Sequence, residues 1–153
     1  DILDLHPFGN HAAVVAMSGN VILQALEHGL SEPDLKSPRL LQTAGLRYRM
    51  NPAQPIGSRV AAAEIRENGR WLPIEGQKTY RIATTAYLLD GGDQFGMLKN
   101  LPPAIARGPL EATLLEDLLE KRRDEAGKLP LPETGRIVGM PFRDDLSAKP
   151  RNF

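Results

Sequence analysis

Apolar and polar positions near the start of the chain change period once, and the change marks a strand giving way to a helix. From His11 to Met17 the sequence is almost continuously apolar and partly β-branched, the composition of a buried strand. Ser18 then stands where a helix N-cap is needed. From Val21 the apolar residues Ile22, Leu23, Ala25 and Leu26 recur at helical spacing as far as Gly29, a candidate C-cap. Residues 31–38, with Ser31, Pro33, Asp34, Ser37 and Pro38, have the composition of a surface loop. Leu46, Tyr48 and Met50 then alternate with Arg47 and Arg49, the period of a strand with one apolar and one solvated face. The proline-rich stretch from Asn51 to Gly57 ends it.

Val60–Glu67 and Arg70–Ile74 flank Asn68-Gly69, a dipeptide that supplies the two positive φ angles of a tight hairpin turn. A further strand is predicted from Lys78 to Ala86, breaking at Asp90-Gly91-Gly92-Asp93. Pro109 suits the first position of a helix, and Leu110, Leu114, Leu115, Leu118 and Leu119 form one apolar face that continues to about Arg123. After Gly127 and the prolines at 130 and 132 comes a short Arg136-Ile137-Val138 strand. The polar tail from Phe142 has no periodicity and is expected to fray. Strands and helices are mixed without regular βαβ alternation, which predicts an α+β fold: a mixed sheet with flanking helices. One domain over residues 1–140 and a tail over 141–153 follow from this pattern.

Composition sharpens the picture in three respects. A chain of 153 residues, 41% hydrophobic and 25% charged, suits one globular domain that buries roughly 70% of its unfolded surface, with one core as the default. Nineteen basic and nineteen acidic residues cancel, so no global field favours a polymeric nucleic acid. The absence of cysteine excludes disulfides, thiolate metal sites and a cysteine nucleophile. No run approaches the ~18 apolar residues of a membrane span, and the first residues lack the pattern of a secretory signal. The sequence starts at Asp1 rather than Met, so a processed form or a fragment, with further sequence upstream, is expected.

Reactive chemistry is thinly represented. His6, His11 and His28 lie far apart, without HxH, HExxH or paired Asp/His spacing. No serine occupies a G-x-S-x-G turn, and Gly91-Gly92 lacks the spacing of a phosphate loop. What remains is a pair of loops, each with an aromatic: Pro7-Phe8-Gly9-Asn10 before a strand, and Tyr87-Leu88-Leu89-Asp90-Gly91-Gly92-Asp93 after one. Rings on two loops suit a sandwich around a planar group, with Asn and Asp supplying directed hydrogen bonds. The alternative is that Phe8 and Tyr87 close the edges of the core while Asp93 caps the next short helix.

At these same residues the sequence resembles the C-terminal domain of the 5'-nucleotidase and UDP-sugar hydrolase family. The islands run in order from Leu5-His6-Pro7-Phe8-Gly9-Asn10 through Ser18-Gly19 and Leu26-Glu27-His28 to Leu41-Gln42-Thr43-Ala44-Gly45-Leu46-Arg47-Tyr48. They continue through Pro55-Ile56-Gly57-Ser58-Arg59-Val60, Thr79-Tyr80-Arg81-Ile82-Ala83-Thr84 and Asp90-Gly91-Gly92-Asp93-Gln94-Phe95 to Gly135-Arg136-Ile137. Coverage is loose from about Gly96 to Leu131 and ends before Phe142.

The resemblance implies that Phe8 and Tyr87 stack on the two faces of a nucleotide base. It further implies that Asn10 hydrogen-bonds the base and that Asp93 accepts from the ribose hydroxyls. The position of Tyr87 is most often Phe in the family; tyrosine is also used in the related 2',3'-cyclic phosphodiesterase and 3'-nucleotidase branch. By the same resemblance, two divalent metal ions and the cleavage chemistry belong to an N-terminal metallophosphatase domain of the same parent. An Asn-Gly-Gly segment and arginines that hold base and phosphate are implied upstream of Asp1. The reading that results is a nucleotide-recognition domain of a periplasmic or extracellular hydrolase, with a homodimer or a purely interacting module as further possibilities.

Overall fold

A computed structural model describes residues 7–32, 37–124, 127–131 and 134–139. His6, residues 33–36 of the predicted loop and the tail from 141 lie outside the described residues. The strands are β1 (His11–Ser18), β2 (Leu46–Met50), β3 (Val60–Glu67), β4 (Arg70–Pro73), β5 (Thr79–Thr85), β6 (Ala106–Leu110) and β7 (Ile137–Val138). The helices are α1 (Gly19–Gly29), the single-turn α2 (Ala86–Leu89) and α3 (Glu111–Arg122), with two short 3-10 turns at Gly92–Gln94 and Gly96–Leu98. The fold is α+β, as the hydrophobic pattern predicts. Its contacts divide it into two compact units: Asp1–Ala25 with Glu75–Thr134, and Leu26–Ile74 with Gly135–Phe153.

The first unit is built on a three-stranded sheet in the order β5-β1-β6, antiparallel throughout. Ala13, Val15 and Met17 alternate into the core from β1, while Ile22 and Ala25 of α1, Tyr80 of β5, Phe95, Leu98 and Ala112 are also buried. Ser18 serves as the predicted cap, its hydroxyl accepting from the Val21 amide at 3.4 Å. The strand predicted over Lys78–Ala86 is shorter, because Thr85 accepts from the Leu88 amide at 3.2 Å and starts α2 one residue later.

Strand β6 was not legible in the sequence, and its presence corrects the reading of Pro109 and Leu110. Pro109 lies in this edge strand rather than at a helix start, next to a register irregularity between His11 and Ala13 of the partner strand. An edge strand beside a bulge tolerates the missing amide. Helix α3 begins at Glu111 instead. Its predicted core face is largely solvent-facing: Leu110, Leu114 and Leu118 are exposed, and Ala112 is the buried residue of the helix.

The second unit holds a four-stranded sheet in the order β4-β3-β2-β7, in which β7 runs parallel to β2 and the other pairs are antiparallel. Asn68 and Gly69 both adopt positive φ, 49° and 80°, so the β3–β4 hairpin turns as its dipeptide predicts. Leu46, Tyr48 and Met50 point inward, whereas Arg47 pairs with Glu64 at 2.6 Å and lies 4.6 Å from the centroid of the Trp71 ring. Gly29 is not the left-handed cap that its place suggests. It is the last residue of α1, and a Cβ there would lie 2.9 Å from the Arg39 carbonyl oxygen. Close approach of the following loop, not backbone twist, demands glycine here.

This unit also contains a buried polar bracket that the sequence reading missed. The Glu27 carboxylate accepts from two successive amides, Arg59 at 2.9 Å and Val60 at 2.7 Å. The Arg59 side chain, 8% exposed, donates through Nη1 to the carbonyls of Leu30 and Glu32 at 2.6 and 2.7 Å. Helix end and strand start are thereby tied by charge-assisted bonds. Both residues lie in islands of the family resemblance, and their work is structural.

Candidate functional site

All four candidate residues belong to the first unit, and its strand register explains why they are neighbours in the fold. Ala12 of β1 pairs with Thr85 of β5. The loop that precedes β1 and the loop that follows β5 therefore leave the sheet at the same end. The pairing of His11 with Leu110 brings the start of α3 there too.

Phe8 is 75% exposed, and its loop shares an open depression of about 350 Å³ with Leu110, Glu111 and Ala112. Asn10 is half-buried in the same lining; its carbonyl accepts from the Glu111 amide at 3.0 Å, and its own amide donates to the Phe8 carbonyl. The backbone of Asn10 is thus fixed from both sides, by its own loop and by the first turn of α3. Phe8 is not a core-edge residue at such exposure.

Tyr87 lies in α2 and is 44% exposed. Its hydroxyl donates to Asp93 Oδ1 at 2.9 Å and accepts from the Asp93 amide at 3.2 Å. The loop between them is anchored at both ends, by the Thr85 cap before it and by fully buried Phe95 after it. The two glycines serve different ends. Gly91 takes φ 81°, whereas a Cβ on Gly92 would fall 2.4 Å from Cε1 and Cζ of the Tyr87 ring. The ring rests on bare backbone. Asp93 itself adopts left-handed angles (φ 48°, ψ 30°), conformations that aspartate accepts more readily than most residues.

Tyr87 and Asp93 are thus brought into direct contact, Phe8 and Asn10 share one depression, and both pairs sit at one end of one sheet. The Tyr87–Asp93 bond was invisible to motif reading, although a six-residue spacing across two glycines was its available signal. Among the described residues there is no group of three or more His, Asp or Glu that could hold a metal ion. No described helix is long and apolar enough to cross a membrane.

A family model described as "5'-nucleotidase, C-terminal domain" matches residues 1–100 of the 153. The chain belongs to this family. An apyrase of Aedes aegypti is 30% identical over 145 residues, covering 90% of this chain and 25% of its own length. A snake venom 5'-nucleotidase of Macrovipera lebetinus is 26% identical over 125 residues, 79% of this chain and 31% of its own. Among solved structures, the 5'-nucleotidase precursor of Thermus thermophilus matches with a TM-score of 0.80 and 30% identity, over 93% of this chain and 27% of that one. The likeness of fold therefore continues past residue 100, where the family model stops. The chain spans about a quarter to a third of the length of these proteins.

Proposed function

We propose that this chain is the base-and-ribose-recognition domain of a metal-dependent hydrolase of the 5'-nucleotidase type, which releases phosphate from nucleoside 5'-phosphates. The observation that carries the reading is the arrangement at one sheet end: two exposed rings, Phe8 and Tyr87, each accompanied by a polar partner in its own loop, Asn10 and Asp93. Exposed aromatic side chains offer a planar base large stacking surfaces, and a carboxylate offers ribose hydroxyls a strong acceptor. Asn10 carries both a donor and an acceptor for a base edge. Family membership supports the nucleotide as ligand.

In this reading the domain binds and presents the nucleotide, while the N-terminal metallophosphatase domain of the same parent performs the cleavage. The two divalent metals held there supply the Lewis acid and the activated water. The venom relative favours a parent that works outside the cytoplasm, in the periplasm or the extracellular space. The resemblance leaves a second reading, because it implies that the cyclic phosphodiesterase and 3'-nucleotidase branch also uses tyrosine at the position of Tyr87. Turnover of AMP, 3'-AMP and 2',3'-cyclic AMP by the full-length parent separates the two. Preference for AMP is expected, and preference for the cyclic or 3'-substrate would move the protein to the other branch.

A further inference from the structure

The Tyr87 hydroxyl makes contacts that ring stacking does not require. A phenylalanine would present the same ring, yet here the hydroxyl bridges both the carboxylate and the amide of Asp93. Three constraints meet at this tyrosine. The ring is seated on Gly92, where no Cβ can stand; the hydroxyl is oriented by donating to Oδ1; and the same oxygen accepts the amide of a residue in a left-handed conformation. A lone carboxylate on a turn between glycines samples several rotamers and backbone states, each of which aims it differently. A hydroxyl that holds both its backbone and its side chain removes most of that freedom before any ligand arrives.

We infer that the Tyr87 hydroxyl is a positioning group: it fixes the Asp93 carboxylate and its turn in the orientation that reads ribose hydroxyls, so that base platform and ribose acceptor form one preorganised unit. This rests on the proposed nucleotide reading and deepens it. One atom then couples two specificities. The ring supports the base whatever the sugar, whereas the hydroxyl sharpens discrimination between ribose and deoxygenated sugars. A carboxylate offers several lone-pair directions, and the tyrosine hydroxyl takes one of them on Oδ1.

The test compares Tyr87→Phe and Tyr87→Ala in the full-length parent, with AMP and 2',3'-dideoxy-AMP as substrates, and with amide hydrogen exchange at Asp93 as a readout independent of ligand. Tyr87→Phe is expected to raise KM for AMP by roughly 3- to 10-fold, the range of one hydrogen bond's net worth, with KM for the dideoxy substrate and kcat little changed. Exchange at the Asp93 amide should accelerate in the same variant. In an Asp93→Ala background, adding Tyr87→Phe should cost nothing further in ribose discrimination, because the group it positions is gone. If Tyr87→Ala weakens both substrates while Tyr87→Phe leaves their ratio and the Asp93 exchange unchanged, the positioning role is overturned and the base clamp survives. If Tyr87→Ala leaves KM for both substrates untouched, the nucleotide reading itself falls, and this inference with it.

Discussion

At the scale of single residues, the fold depends on polar groups that are buried only because each has a partner. Tyr48 is the clearest case. It is 3% exposed, its hydroxyl donates to the Leu41 carbonyl at 3.1 Å, and burial pushes its pKa from 10.0 up to about 12. The folded chain therefore favours the neutral phenol, whereas the unfolded chain ionises near the ordinary value. The stabilisation is fully present below pH 10 and is lost as pH rises from 10 through 12. Two pH units correspond to about 2–3 kcal/mol at 1.36 kcal/mol each. Urea unfolding of the wild type and of Tyr48→Phe at pH 8, 10, 11 and 12 checks this. The wild type should lose more stability than the variant across that window, although the variant starts roughly 1 kcal/mol lower because the Leu41 carbonyl has lost its donor. Parallel pH profiles for the two proteins would refute the assignment.

At the scale of elements, what the sequence disclosed and what it hid divide along the reach of the forces involved. The β3–β4 hairpin was legible because Asn68-Gly69 encodes its own backbone angles, and the start of α1 because Ser18 caps three residues away. Phe8, Asn10, Tyr87 and Asp93 were picked out as ring-bearing loops, yet the bond joining Tyr87 to Asp93 depends on how two glycines fold the turn. Strand β6 was missed because a segment containing Gly108 and Pro109 has poor strand propensity and is held by its pairing with β1. The leucines of α3 misled for a related reason: helical spacing reports a stripe but not what covers it, and Leu114 and Leu118 remain exposed. Gly29 makes the same point quantitatively. Local propensity says that Gly→Ala at a helical position stabilises by up to ~1 kcal/mol, whereas a Cβ 2.9 Å from the backbone oxygen of Arg39 forces the loop to move, a cost of about 1–3 kcal/mol. The tertiary term is the larger, so Gly29→Ala should lower the unfolding free energy; a more stable variant in thermal or urea melts would show that propensity prevails.

At the scale of the whole molecule, the proposed function divides recognition and reaction between parts of the parent, and this has a consequence for the isolated chain. Hydrolysis of a phosphate ester by metal catalysis needs ligands for the ion, a polarised oxygen and a water of lowered pKa, all within a few ångströms of the phosphorus. The described residues offer no metal-ligating group of three, and the proposed contacts with the nucleotide fall on base and ribose. Affinity for a nucleotide and the ability to cleave it should therefore separate. With AMP and manganese, zinc or cobalt, the isolated chain is expected to release no phosphate above the uncatalysed background, while adenosine should still bind it measurably by calorimetry. Removing the aromatic platform then acts on binding alone. Phe8→Ala in the full-length parent should weaken nucleotide recognition by roughly 1–3 kcal/mol, the usual loss of one base-stacking partner. Because Phe8 is 75% exposed, its truncation should leave thermal stability nearly unchanged, unlike the about 3–5 kcal/mol lost when a core aromatic is cut to alanine. A Phe8→Ala parent that melts much lower but turns over AMP with unchanged KM would give this ring a structural role in place of the base clamp, and metal-dependent phosphate release by the isolated chain would end the division of labour between recognition and cleavage.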